Sequence, residues 1–192
     1  MEIKEIEKTE VLKGGEFLVK ETNANDVFIR EEFGEEQMMM LNATEEFSKI
    51  EIKPNIMRFE EKDYALVESL MRKAGQLGLL AVSIPEKYHG LGMGFNTGML
   101  ICEEISSLTG SLATAFGAHT GIGTLPILLY GTEEQKNYYL PKISSGEWIS
   151  CYNLTEPDAG SDANSGKTKA VLTSDGEHYE ITGQKIWISN AG

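Results

Sequence analysis

The hydrophobic period of this chain changes once, near Trp148, and that change limits the fold more than any other feature. Before it, apolar residues recur at spacings of three and four, as in helices packed on a core; after it they alternate, as in strands. The expected class is therefore α+β, an amino-terminal all-helical bundle domain followed by the start of an antiparallel β domain. The seam is the stretch Ser150–Asp162, which runs from an expected buried strand into a loop dense in hydroxyls, small residues and backbone donors. Sites often form at such seams.

Residues 1–34 are charged, with turn residues at Gly14-Gly15 and Asn23-Ala24-Asn25-Asp26, and read as an extension anchored by Phe17, Leu18, Val27, Phe28 and Ile29. The helical domain spans 35–147. Its first helix runs from Glu35 to about Ile52, with Met40, Leu41, Thr44 and Phe47 on one face and Pro54 as the stop. Val67, Leu70, Met71, Ala74 and Leu77 predict a second, capped by Asp63 and ended by Gly78. Residues 79–94 carry a glycine pattern, Gly90-Leu91-Gly92, that follows no strand-to-helix crossover and so reads as a flexible turn rather than a phosphate loop. Further helices are expected over 97–108 and 111–129, the latter apolar almost all round and central in the bundle. Thr132-Glu133-Glu134-Gln135 has the spacing of a capping box for a last helix, which ends near Ile143 with Pro141 in or just past its final turn.

Residues 148–192 read as the beginning of a β domain. Lys169–Thr173 and Tyr179–Thr182 flank Asp175-Gly176, a pair that supplies the positive φ a tight hairpin needs. Lys185-Ile186-Trp187-Ile188-Ser189 alternates and predicts another strand, with Trp187 and Ser189 on one face.

Thirty acidic against 17 basic residues give a formal charge of -13, which argues against a phosphate-tracking nucleic-acid surface and against an anionic membrane. Glu2–Lys8 has no apolar core of a secretory leader, and Cys102 and Cys151 show no metal or disulfide spacing, so a reducing, cytoplasmic setting is expected. The longest apolar run, Leu112–Tyr130, is broken by His119, Thr120, glycines and Pro126 and reads as a core helix, not a membrane span. His119 reads as a satisfied core histidine, Glu103-Glu104 as a solvated face, and Met38-Met39-Met40 as helix packing.

Along the seam, period two places Tyr152 and Leu154 opposite Asn153 and Thr155. Pro157 restricts Glu156, Gly160 permits a ligand close to the backbone, and Ser161 adds a hydroxyl beside it. Such a loop can hold a polar heterocycle or a phosphate through amides and hydroxyls. Taken alone, Gly160-Ser161-Asp162 reads as an Asx or Ser turn. Trp187 offers an indole that can lie on a flat ring, and Ser189 a hydroxyl for its edge.

Two linked motifs, TEPDAGSD at Thr155–Asp162 and KIWISNAG at Lys185–Gly192, resemble the flavin-binding signature of the acyl-CoA dehydrogenases. The likeness covers residues 35–192 and extends through Gly78-Leu79-Leu80, Pro85-Glu86 and Gly90-Leu91-Gly92, then Gly131–Lys136 and Tyr139-Leu140-Pro141-Lys142. Lys13-Gly14-Gly15-Glu16-Phe17 and Gly117–Gly123 are most similar to the very-long-chain branch.

The resemblance implies FAD and an acyl-CoA thioester lying between a helical domain, a middle β domain and a carboxy-terminal four-helix domain, of which this chain would hold the first and the start of the second. It implies that Tyr152, Asn153, Leu154 and Thr155 line the isoalloxazine, with the Thr155 hydroxyl at the pyrimidine edge. Gly160 and Ser161 would continue that wall, Ser161 also meeting the CoA portion of the substrate. Trp187, Ile188 and Ser189 would close the other face, Ser189 toward N5. Asn153 departs from the small residue usual at its place.

The implied reaction is α,β-dehydrogenation of acyl-CoA thioesters in fatty acid β-oxidation, with electrons passed to an electron-transfer flavoprotein by a homo-oligomer, dimer or tetramer. The family's base is a glutamate to which no residue here corresponds, so this chain alone is expected to be inactive. An acyl-CoA oxidase or flavin monooxygenase on the same scaffold, or a non-catalytic binding fragment, are the alternatives; acyl chain length is not fixed by these residues.

Overall fold

A computed structural model describes residue 12 and residues 14–191. The leader-type reading of Glu2–Lys8, together with Lys13 and Gly192 of the quoted motifs, lies outside the described residues. The chain divides into two compact units, Met1–Met39 and Met40–Gly192. In the first, short 3-10 turns at Glu16–Leu18, Ala24–Asp26 and Arg30–Glu32 succeed one another, and the rings of Phe28 and Phe33 meet edge to face at 5.0 Å.

Helix α1, Glu35–Phe47, buries Leu41, Thr44 and Phe47, the face expected from their spacing. It widens into a π-turn at Ser48–Ile52 and tightens into a 3-10 turn at Lys53–Asn55, because Pro54 has no N–H for an i→i−4 bond. Pro54 does not end the helical path: α2, Ile56–Glu60, follows at once. Helix α3, Tyr64–Gln76, starts as the sequence predicts, with the Leu66 N–H donating to Asp63 Oδ1 at 3.0 Å. Its buried Leu66, Leu70, Met71 and Ala74 join Phe47, Ile52, Phe59, Ile101, Ile105, Leu112 and Phe116 in the main core.

The connector after α3 is not a flexible turn. Residues 81–84 and 91–93 form a backbone ladder, Leu91 N–H to Ala81 O at 3.0 Å, Met93 N–H to Val82 O at 2.8 Å and Gly92 N–H to Ile84 O at 2.8 Å. Leu79, Leu80, Val82 and Ile84 are all buried. Helix α4, Phe95–Leu108, and α5, Gly110–Ala118, cross the same core. The expected single helix over 111–129 is interrupted by a π-turn at His119–Gly123 before α6, Leu125–Tyr130. Nor is it central throughout, since no residue of α6 is fully buried and Tyr130 is 86% exposed. By length and composition Gly110–Tyr130 is apolar enough to cross a membrane, yet a third of that stretch is buried inside the unit and its midpoint carries a hydrogen-bonded histidine. Helix α7, Glu133–Ser144, opens on the expected reciprocal cap between Thr132 and Gln135 and keeps Pro141 in its last turn.

Beyond α7 no further α-helix forms among the described residues, as the change of period predicts, and only a 3-10 turn at Ala163–Ser165 interrupts the loop. Strands β1, Lys169–Leu172, and β2, Tyr179–Thr182, pair antiparallel with Leu172 opposite Tyr179, and Gly176 in the turn has φ 74°. Two strand expectations fail. Residues 148–155 are irregular and partly exposed, and 185–189 pair with no strand among the described residues because Trp187 stands at φ 57° and Asn190 at 63°. A left-handed residue breaks period two, so Trp187 and Ser189 do not share a strand face. The architecture is a helical bundle followed by a short antiparallel two-stranded sheet.

Candidate functional site

The two motifs meet. The Ile186 N–H donates to Thr155 O at 2.9 Å, and Lys185 Nζ donates to Leu154 O at 2.8 Å and to Glu156 Oε1 at 2.7 Å. Glu156 is 6% exposed, and its carboxylate also accepts the main-chain N–H groups of Lys167 and Thr168. Lys185 first, and these amides with it, hold the Glu156 carboxyl far below the usual carboxylate range. Such a saturated carboxylate is a tie, not a proton acceptor.

Between these ties the backbone of Tyr152–Thr155 is open. Its four N–H groups donate to nothing among the described residues, and the same holds for the N–H groups of Gly160 and Ser161 and for the hydroxyls of Thr155, Ser161 and Ser189. Tyr152, Asn153, Leu154, Gly160, Ser161 and Ser189 are exposed, while Thr155 and Ile188 are half-buried. Asn153 Oδ1 takes a weak contact from the Cys151 thiol at 3.5 Å. Trp187 is 88% exposed, an unusual position for an indole. A Cβ added to Gly160 would meet nothing within 4 Å, so the loop is open at that point.

The other end of the seam is anchored by His119, which is 0% exposed. Its Nδ1 accepts the Ser150 N–H at 3.0 Å, which leaves the proton on Nε2 to be donated to Ile143 O at 3.1 Å. It is the satisfied core histidine expected from the sequence. Burial pushes its pKa down to about 4 from 6.5, the bond to Ile143 opposing the shift. The unfolded chain therefore takes up this proton first as pH falls. The stabilisation is complete above about pH 6.5 and lost toward pH 4, on the order of 3 kcal/mol. Urea unfolding at pH 7 and pH 4 checks this, with a smaller loss expected in His119→Gln than in the parent.

Sequence reasoning missed a cavity of about 280 Å³ lined in part by the same π-turn. Met93, Phe95, Met99, Leu125 and Leu128 make it apolar, Gly98, Gly117 and Gly121 leave room, and Ser83, Cys102, Thr120 and Thr124 add neutral polar groups. No charged side chain lines it. Gly117 and Gly121 lie four apart with Thr120 and Thr124 beside them, a small-residue face that helical spacing would have revealed. Also missed was Asn190, whose Nδ2 donates to Ser150 O at 3.1 Å and Ala115 O at 2.9 Å.

An open row of amide donors tied to the segment that carries an exposed indole suits a flat polar heterocycle, and an uncharged apolar cavity suits an apolar chain. Comparison with known proteins points the same way. Residues 34–147 match the acyl-CoA dehydrogenase N-terminal domain and residues 151–192 its middle domain. The protein named "Probable acyl-CoA dehydrogenase" of Bacillus subtilis (strain 168) is 43% identical over 182 residues, 95% of this chain and 30% of that protein. The very long-chain specific acyl-CoA dehydrogenase, mitochondrial, of Bos taurus is 39% identical over 125 residues, 65% of this chain and 19% of that protein. The crystal structure of an acyl-CoA dehydrogenase complexed with FAD from Bacillus anthracis superposes with a TM-score of 0.86 at 44% identity, covering 93% of this chain and 31% of that one. This chain thus spans about a third of the length of the first of these proteins and of the superposed structure. With its N-terminal and middle domain matches joined at the seam where both motifs converge, the chain belongs to the acyl-CoA dehydrogenase family.

Proposed function

We propose that this chain supplies the flavin wall and the acyl cavity of an FAD-dependent enzyme that dehydrogenates acyl-CoA thioesters between the α and β carbons. The observation that carries this reading is the run of donors at Tyr152, Asn153, Leu154 and Thr155, fixed at both ends and bonded to no acceptor among the described residues. FAD, when bound, supplies hydride acceptance. The N–H groups and the Thr155 hydroxyl match the acceptors on a flavin's pyrimidine edge, and the exposed Trp187 indole, with Ile188 and Ser189, covers the ring. Gly160 and Ser161 continue that wall with N–H groups that bond to no described residue, and the Ser161 hydroxyl is offered to the CoA portion as well. The apolar lining of the cavity suits the acyl chain.

Proton removal from the α carbon needs a carboxylate, and none lines the cavity; Glu156 is occupied by Lys185. We therefore place the base outside the described residues and expect these residues alone to bind without turning over. Transfer of electrons to an electron-transfer flavoprotein, assembly as a homo-dimer or tetramer, and a place in cytoplasmic fatty acid β-oxidation complete the proposal; the two free thiols suit a reducing compartment.

Titrating the protein with FAD and following flavin fluorescence tests the reading. Saturable quenching is expected, and its absence would refute the site. Trp187→Ala should weaken FAD roughly tenfold through lost ring contact. Because the indole is 88% exposed, its removal leaves the melting temperature unchanged. Adding a long-chain acyl-CoA should then perturb the bound flavin spectrum without bleaching it.

A further inference from the structure

We infer that His119 and Asn190 are positioning residues of the flavin wall, acting through a clamp on the main chain of Ser150. The inference rests on the flavin reading above.

Both main-chain groups of Ser150 are held. Its N–H donates to His119 Nδ1 at 3.0 Å, and its carbonyl accepts from Asn190 Nδ2 at 3.1 Å. Its hydroxyl donates to His119 O at 3.0 Å, so the side chain is held as well. A Cβ on Gly123 would lie 2.5 Å from that hydroxyl, so the π-turn admits Ser150 only because a glycine stands there. Each jaw is rooted in a helix, His119 through Ile143 O in the last turn of α7 and Asn190 through Ala115 O in α5. Asn190 reaches both carbonyls from a left-handed backbone, φ 63°, a conformation that asparagine tolerates better than most residues.

A histidine that only filled space would not need both nitrogens. Here one must accept and the other must donate, which a neutral ring with its proton on Nε2 does. The wall begins two residues later. Since the N–H groups of Tyr152–Thr155 bond to no described group, their direction is set from the ends of the segment. One end is Ser150 in its clamp; the other is Leu154 and Thr155, held by Lys185 and Ile186. Loosening the first end lets the donors swing while the core stays packed.

Asn190→Gly tests this most cleanly, because glycine keeps the left-handed backbone and deletes only the amide. The expected result is FAD affinity lowered about tenfold, a displaced absorption band of the bound flavin, and faster amide exchange at Ser150, whose N–H is held by His119, with a nearly parental melting temperature. His119→Phe should share the affinity loss, and His119→Gln, which can accept and donate, should recover part of it. Parental affinity and spectrum in Asn190→Gly would overturn the clamp. Failure of the parent to bind FAD would instead refute the flavin reading, and amide exchange then decides alone: unchanged exchange at Ser150 in Asn190→Gly overturns the clamp, faster exchange upholds it.

Discussion

Glu156→Ala lowers FAD affinity roughly tenfold to a hundredfold, the size expected when charge-assisted hydrogen bonds are removed from a binding wall. Four groups depend on this carboxylate directly or through Lys185: the amides of Lys167 and Thr168, the Lys185 ammonium, and the Leu154 carbonyl that the same ammonium holds. Removing it frees Lys185 and leaves two inward-facing N–H groups without an acceptor. Lys185→Met should reproduce the loss of affinity while sparing the amides, and so behave as the milder variant. Fluorescence titration of both, beside their melting curves, separates the two contributions. Equal affinity in parent and Glu156→Ala would show that the two motifs bind flavin without being tied together. The Glu156 carboxyl titrates well below its unfolded range, so its contribution is present above that range and lost as pH falls through the folded value. His119, with a folded pKa of about 4, gives way earlier in an acid titration.

Gly90→Ala destabilises the protein by about 3 kcal/mol, at the upper end for forcing a methyl into a closed contact, and lowers the melting temperature by roughly 10 °C. The new Cβ would fall 1.8 Å from Ile84 O and 2.4 Å from its carbonyl carbon. Backbone cannot yield as a side-chain tip can, so the ladder between residues 81–84 and 91–93 has to open. That ladder carries Val82, Ser83, Ile84 and Met93, part of the cavity wall. Long-chain acyl-CoA should accordingly bind Gly90→Ala more weakly even at temperatures where the variant is folded. Differential scanning calorimetry and acyl-CoA titration check the two effects; an unchanged melting temperature would contradict the close packing at Gly90.

What the sequence made legible was local. The Asp63 cap, the Thr132–Gln135 box and the Asp175-Gly176 turn each depend on partners within a few residues, and all three form. What it hid was decided at a distance. Trp187 alternates with its neighbours on paper, but Lys185 and Ile186 are held by Leu154, Glu156 and Thr155, and Asn190 by Ala115, so the backbone turns left-handed between those anchors. The helix over 111–129 reads as continuous because apolarity says nothing of the π-turn that His119 and three nearby glycines permit. The motifs that carry the proposed site residues were legible in the sequence, whereas the ties that fix them, Glu156 to Lys185 and Ser150 to His119 and Asn190, join positions 29 to 40 residues apart.

The Glu156 carboxylate grips the chain just before β1 and again just after β2. It therefore closes a long excursion at its neck, and everything between Thr168 and Lys185 hangs beyond the knot. All residues of both strands are exposed. Lengthening a loop that is already closed costs little, because closure entropy grows only with the logarithm of its length. The knot thus keeps Thr155 and Ile186 in register whatever the length of the loop it closes.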